Sequence, residues 1–259
     1  MSGLTRVSAT RYVAPLREGG SLPGIVEADD LGTYVCKFRG AGQGPGVLVA
    51  EVIVGELARV LGIRTPDLVA VELGEAIARY EADEEVQDLL NASLGLNLGV
   101  DFLPGSFGFD PGREIAPDVA ARILWLDAFV ANVDRTWRNP NLLVWHGDVW
   151  AIDHGAALYF HHGWAGGIDP APLAAQRWAE QPWSVDDHVL RAYVDAVPGV
   201  ADDLADRVSD DVLASVTALV PDEWLVGAVP AAELRAAYCT FLRARLDGSR
   251  SWLPKRGAA

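Results

Sequence analysis

Three polar residues near the middle of the chain have the types and the spacing needed to move a phosphoryl group. Asp134 and Asn139 stand in Asn132-Val133-Asp134-Arg135-Thr136-Trp137-Arg138-Asn139-Pro140-Asn141, and Asp153 follows in Ile152-Asp153-His154-Gly155. A carboxylate at Asp134 can orient an attacking hydroxyl and take its proton. The Asn139 amide oxygen and the Asp153 carboxylate are hard ligands that suit Mg²⁺ held against a triphosphate. Any one of the three alone reads as a turn residue or a solvated loop acid; their order, and the elements around them, favour the chemistry.

Those elements are legible nearby. The run from about Pro117 to Asn132 reads as a strong helix that ends just before the polar loop. Leu142–Trp145 and Val149–Ile152 read as short strands joined by the tight turn His146-Gly147-Asp148, the second strand delivering Asp153. That turn resembles the H-G-D of aminoglycoside-type phosphotransferases. Those enzymes place an Asn five residues later, whereas position 153 is Asp, and the hairpin reading is preferred.

The first hundred residues supply a second, independent set. Ile25–Ala28 and Thr33–Phe38 read as strands, and Lys37 sits inside the apolar run of the second, a costly place for a charge without a partner. A kinase needs such a strand lysine for the nucleotide phosphates and a helix glutamate to hold it. Glu51 falls near the start of the next helix, about Val47 to Leu61, whose apolar face is Ala50, Val54, Leu57 and Leu61 and whose C′ position is Gly62. Glu56 competes for the glutamate role. Gly19, Gly20, Ser21 and Gly24 precede the first strand, where backbone amides could cap phosphates; no Gly-Lys-Ser/Thr follows, so this is not a Walker A loop. Leu68–Leu73 reads as a strand and Glu84–Asn91 as a short helix. Asp101, Phe102 and Leu103 then lead into the Gly/Pro-rich interval 104–112, the expected hinge, and are assigned to the adenine side. From about Pro170 onward three or four helices are expected. Strand-rich first and helix-rich second is an α+β, bilobal, protein-kinase-like plan, with residues 1–104 as a nucleotide-binding N-lobe and 105–259 as a C-lobe.

Composition narrows the function classes. With 259 residues, half of them hydrophobic, the chain can bury a sizeable core. A net charge of −15 repels polyphosphate backbones, which argues against nucleic acid as a partner and against stable docking on anionic membranes. It does not exclude ATP, which meets a local lysine, backbone amides and Mg²⁺. Two cysteines, Cys36 and Cys239, offer neither a disulfide framework nor a zinc motif. The N-terminus lacks the apolar stretch of a signal peptide, and the most apolar helix carries Glu51, Glu56 and Arg59, so a cytoplasmic location is expected. His161-His162 reads as a solvated loop rather than a metal pair.

These motifs resemble the HipA-like kinases, a bacterial branch of the protein-kinase-like superfamily related to the phosphatidylinositol kinases. Lys37-Phe38, Glu51, Leu57-Ala58, Leu61-Gly62-Ile63 and Pro66 are similar to the family's N-E…L-A…L-G-[IL]…P run. Asn132-Val133-Asp134-Arg135 with Asn139 resembles its N-x-D-R-H-x-x-N loop, and Ile152-Asp153 its metal-binding aspartate. The resemblance implies that Lys37 contacts ATP phosphates, Asp134 is the acid/base, and Asn139 and Asp153 bind Mg²⁺. Three departures stand out: Thr136 in place of the usual His, Ala50 in place of Asn, and an Asp-His-Gly like that of lipid-kinase branches. The implied function is Mg-ATP-dependent transfer of the γ-phosphate to a hydroxyl, on a protein Ser/Thr or a small-molecule acceptor. The alternative is a pseudokinase or nucleotide-binding regulatory module, and a lipid-headgroup kinase is a more remote third.

Overall fold

Alternation of buried and exposed side chains builds the first half of the protein. In the computed structural model, which describes residues 3–16, 22–42, 44–79, 83–166 and 172–255, strand β2 (Gly24–Ala28) and strand β3 (Thr33–Lys37) bury every second residue. They join β1 (Arg6–Pro15), β4 (Leu68–Leu73) and β5 (Gly95–Asp101) in a closed barrel of order β1-β2-β3-β5-β4. The β1–β4 pair is parallel and the other four are antiparallel. Val26, Cys36 and Val71 are fully buried in its core, and burial pushes the Cys36 thiol far up. Gly99 of β5 faces a tight wall: a Cβ there would stand 2.6 Å from Val71 Cγ2 and 2.7 Å from Val69 Cγ2.

The sequence reading did not anticipate β1, and it ran β3 one residue too far. Two register irregularities interrupt β1, and one of its ten residues is buried, so the alternation that marks a half-buried strand is weak in its sequence. Short helices α2 (Glu75–Arg79) and α3 (Glu84–Ala92) follow β4; Asp83 caps α3 by accepting from the Glu85 and Val86 amides.

The chain divides into two compact units. The first comprises Met1–Val49, Pro66–Pro104 and Leu219–Val226, and the second Ala50–Thr65, Gly105–Ala218 and Gly227–Ala259. Helix α1 (Gly46–Val60) runs across the division. The predicted face Ala50, Val54, Leu57 and Leu61 is wholly buried. Gly62 at φ +73° stops the helix as a Schellman motif, with the Ile63 amide reaching the Ala58 carbonyl at 2.9 Å. The late segment Leu219–Val226 is part of the first unit: Trp224, 1% exposed, donates its indole N–H to the Leu96 carbonyl at 2.8 Å, and Glu223 pairs with Arg6 at 2.9 Å.

The second unit is organised by α4 (Pro117–Val130) and α8 (Ala231–Asp247). Trp125 and Phe129 of α4 meet Trp252 at ring separations of 5.5 and 5.7 Å. Ala131 takes a left-handed conformation, φ 51°, and ends α4 two residues before the predicted limit. A three-stranded sheet of β6 (Phe107–Gly108), β7 (Leu142–Trp145) and β8 (Asp148–Ala151) follows the order β6-β7-β8. Part of the expected hinge interval is therefore strand, paired with β7. His146 and Gly147 have φ of 50° and 88°, the signature of the tight hairpin that the sequence suggested. Among the described residues, four α-helices, α5 (Pro172–Glu180), α6 (Ala201–Arg207), α7 (Asp210–Ala218) and α8, fill the C-terminal part with three 3₁₀ turns.

Gly99→Ala forces a methyl group into the barrel wall, and we expect it to lower stability by about 1–3 kcal/mol. Chemical denaturation followed by tryptophan fluorescence measures the loss.

Candidate active site

One loop and its hairpin, all within the second unit, bring Asp134, Asn139 and Asn141 together. Residues 131–140 leave α4 and turn back on themselves: the Thr136 amide donates to the Asp134 and Asn139 carbonyls at 2.9 and 3.0 Å. The Thr136 hydroxyl accepts from the Asn139 amide at 3.2 Å. Threonine at this position thus closes the loop through its side chain. The Asn132 side-chain oxygen accepts from the Asp134 amide at 3.1 Å.

The Asp134 carboxylate is held through one oxygen. Its Oδ2 accepts from Asn139 Nδ2 at 2.9 Å and from Asn141 Nδ2 at 3.0 Å. Asn139 is exposed, and spending its NH₂ on Asp134 leaves its amide oxygen available to another partner. Asn141 was not singled out from the sequence. It adopts φ 47°, a region that Asn tolerates better than most residues.

Beneath this surface lies a charged pair without solvent. Arg135 is 1% and Asp127 0% exposed. Arg135 Nε donates to Asp127 Oδ2 at 2.7 Å and Nη2 to Asp127 Oδ1 at 3.4 Å. Nη1 donates to the Asn141 carbonyl and, at 3.1 Å, to the Ile152 carbonyl, while Nη2 reaches His154 Nδ1 at 3.2 Å. All five guanidinium N–H bonds are therefore engaged. Because Ile152 and His154 flank Asp153, one side chain ties the loop that carries Asp134 to the carbonyl before Asp153 and to the imidazole after it. Asp153 itself has φ 54°, a strained value for a non-glycine residue and a feature concentrated at functional sites.

Asp127 also accepts from Asn132 Nδ2 at 2.9 Å and from His188 Nε2 at 3.0 Å. Burial pushes its carboxyl up, but the Arg135 charge and the His188 and Arg135 hydrogen bonds outweigh burial and hold it well below the ordinary carboxylate range. Burial likewise drives His188 down, toward the neutral ring. Neither residue was singled out from the sequence. For Asp127 a signal existed: it is the one charge between Ile123 and Val130, a stretch in which every residue is buried.

The remaining predicted residues are placed as follows. Lys37 ends β3 half-buried, opposite in phase to Cys36. Glu51 is 3% exposed on α1, whereas its competitor Glu56 lies 3.5 Å from Arg59 on the same helix. Gly24 opens β2, where a Cβ would collide with the Tyr12 ring at 2.4 Å, which accounts for glycine there. Gly19, Gly20 and Ser21 lie outside the described residues. Asp101 closes β5, and its carboxyl is raised by burial and by Asp67 and Asp30; Phe102 is 37% exposed and Leu103 buried. Asp148 sits on the hairpin turn, 3.1 Å from Arg64. The expectation of a solvated His161-His162 pair fails for one of the two. His162 is exposed, but His161 is buried against Tyr238, whose hydroxyl lies 3.0 Å from Nδ1, and burial together with His162 lowers its pKa to about 3.

Among the described residues no group of three or more His, Cys, Asp or Glu forms a preassembled metal site. Mg²⁺ bound mainly by substrate phosphates and one or two protein oxygens needs none, and the exposed Asn139 amide oxygen and the Asp153 carboxylate are oxygens of the type that could serve it. Among the described residues, too, no helix is long and apolar enough to cross a membrane.

A family model described as HipA-like kinase matches residues 10–163. No curated protein matches the sequence. The protein resembles the Helicobacter pylori proinflammatory kinase CtkA with a TM-score of 0.51 and 11% identity, over 92% of this chain and 90% of that one, a likeness that speaks to a kinase-like fold. Two structures of the Golgi casein kinase, one with Mn/ADP bound, are similar at TM-scores of 0.40 and 0.39 and 12% identity, each over 97% of this chain and 75% of the other.

Asp127→Ala strands the buried guanidinium, and we expect a loss of about 3–5 kcal/mol in urea denaturation. The acid limb tests the same pair. Because the folded-state pKa of Asp127 is depressed, its contribution is complete above the unfolded value of about 3.9 and is lost as pH falls below it. Asp127→Asn, expected to be less stable at neutral pH, should lose less on acidification from pH 5 to 3 than the parent.

Proposed function

Because the chain belongs to the HipA-like kinase family, we propose that it is a Mg²⁺-ATP-dependent phosphotransferase that delivers the γ-phosphate to a hydroxyl on a protein serine or threonine. The observation that carries this reading is the Asp134 carboxylate, tethered through Oδ2 by two amides so that Oδ1 faces no competing donor from the loop. A base held in this way accepts the proton of an incoming hydroxyl without reorganising.

The other residues divide the work. Asn139 keeps its NH₂ on Asp134 and offers its oxygen to the cation, with Asp153 as the second protein ligand. Bound there, Mg²⁺ would neutralise charge on the phosphates and hold them in line. Lys37 is assigned to the nucleotide phosphates and Glu51 to the family's helix glutamate. Gly19, Gly20, Ser21 and Gly24 are assigned to the phosphate loop, and Asp101, Phe102 and Leu103 to the adenine. Arg135 touches no reacting atom; it fixes the carbonyls of Asn141 and Ile152, and so the separation of the base from the metal ligand. The retained Asp134, in the position of an acid/base that nucleotide binding alone does not need, favours an enzyme over a regulatory pseudokinase.

Two variants separate binding from chemistry. Asp134→Ala is expected to lower phosphate transfer by about 10²–10⁴-fold while keeping the stabilisation by Mg²⁺ and ATP, about 2.7 kcal/mol at a hundred times Kd. Asp153→Ala is expected to remove the Mg²⁺-dependent part of that stabilisation. Thermal unfolding with ATP, with Mg²⁺ and with both reads the second, and radiolabelled phosphate release the first. Wild-type behaviour in both variants would refute the assignment; binding without transfer in the wild type would point to the pseudokinase.

A further inference from the structure

The loop that carries Asp134 is also held from a distance along the chain. Between residues 183 and 190 the backbone runs alongside it and bonds to it repeatedly. Trp183 Nε1 donates to the Asn132 carbonyl at 2.7 Å. The Trp137 amide donates to the Asp187 carbonyl at 3.0 Å, and the Val189 amide to the Arg135 carbonyl at 3.2 Å. Thr136 and His188 form an antiparallel bridge. The loop thus gains a partner strand where its own sequence provides none, and each contact falls within a few residues of Asp134. Arg191 steadies the segment in turn, donating from Nη1 to the Asp186 carbonyl at 2.8 Å.

One side chain in this segment reaches deeper. His188 is 5% exposed, and its ring has a settled tautomer: the Leu190 amide donates to Nδ1 at 3.0 Å, so the proton lies on Nε2, which donates to Asp127 Oδ2 at 3.0 Å. Asp127 Oδ2 already accepts from Arg135 Nε. A neutral N–H is the donor that fits beside a guanidinium, since it adds a hydrogen bond without a second buried positive charge.

We propose that Trp183–Leu190 is a positioning element for the Asp134 loop, with the His188 ring setting the orientation of the Asp127 carboxylate and, through it, of Arg135 and Asn132. This segment lies beyond residues 10–163, the stretch matched by the family model. Its part in the reaction rests on the phosphotransfer reading above; its hold on the loop does not. The mechanism is geometric: with His188 in place, both carboxylate oxygens are committed, Oδ1 to Asn132 and Arg135 and Oδ2 to Arg135 and His188. Without it, Oδ2 is left with Arg135 Nε as its one donor, and the carboxylate, with the guanidinium and the carbonyls it holds, is less tightly fixed.

The test uses two variants of the full chain that split the ring's two bonds. His188→Asn keeps an acceptor for the Leu190 amide and loses the donor to Asp127, while His188→Gln does the reverse. The readouts are hydrogen–deuterium exchange of peptides covering 132–139 and phosphate release from ATP and Mg²⁺ with water as acceptor. His188→Asn is expected to speed exchange of that loop roughly tenfold and to lower the turnover number by a similar factor at unchanged KM for ATP; exchange in β2–β3 stays as in the parent. His188→Gln is expected to recover most of both losses. Exchange unchanged in both variants, or raised uniformly across the protein, would overturn the proposal. A wild type that releases no phosphate counts against the phosphotransfer reading and leaves the positioning claim to be decided by exchange alone.

Discussion

Burying Asp127 at zero exposure inside α4 is costly on its own, of the order of several kcal/mol for an unpaired ion. The cost is offset by Arg135, itself buried, and by the amide and imidazole donors that fill the remaining carboxylate positions. A guanidinium so placed cannot leave its donors idle, because each buried N–H without a partner adds its own penalty. The carbonyls of Asn141 and Ile152 are therefore drawn to fixed points. The placement of the loop that carries Asp134 and of the carbonyl before Asp153 follows from this hidden pair. Two polar chain segments that the hairpin separates in sequence are brought to one cation, and their spacing inherits its rigidity.

Such a pair contributes specificity of geometry more than net stability. Apolar residues of the same volume could fill the space at no loss of stability, but they could not hold two carbonyls and a histidine nitrogen at once. The same logic separates Arg135 from Arg245, which is also buried but donates only to the carbonyls of Ala128, Trp178 and Gln181 and lies against the Trp178 and Trp252 rings. There the guanidinium fastens α4, α5 and the C-terminal turn together with no carboxylate partner among the described residues, and burial lowers its pKa to about 10.

Much of this was legible in the sequence where local rules dominate. The β2 and β3 strands, the buried face of α1, the Gly62 stop and the His146-Gly147 turn each follow from periodicity or from a backbone conformation that few residues accept. The Asp134–Asn139 pair was legible because its residue types are unusual in that order. What escaped depends on partners far away in sequence. Asn141 looks like a turn residue until its amide is seen on Asp134. His188 lies 61 positions from the carboxylate it serves, and nothing in its own neighbourhood marks it. β1 was missed because an irregular strand with one buried side chain carries little alternation, and His161 because Tyr238 of α8, whose ring and hydroxyl lie against it, comes from 77 positions away.

The segment Leu219–Val226 has a consequence for how the protein is made. Trp224 satisfies a carbonyl of β5 across 128 residues of chain, so the first unit is not complete when its five strands have been synthesised. A nascent chain leaving the ribosome would form the barrel strands early but keep the Leu96 carbonyl and the socket for the indole open until residue 224 had emerged. Translation order and folding order therefore diverge. The barrel waits for Trp224 while the chain that forms α4 to α7 of the second unit is made in between.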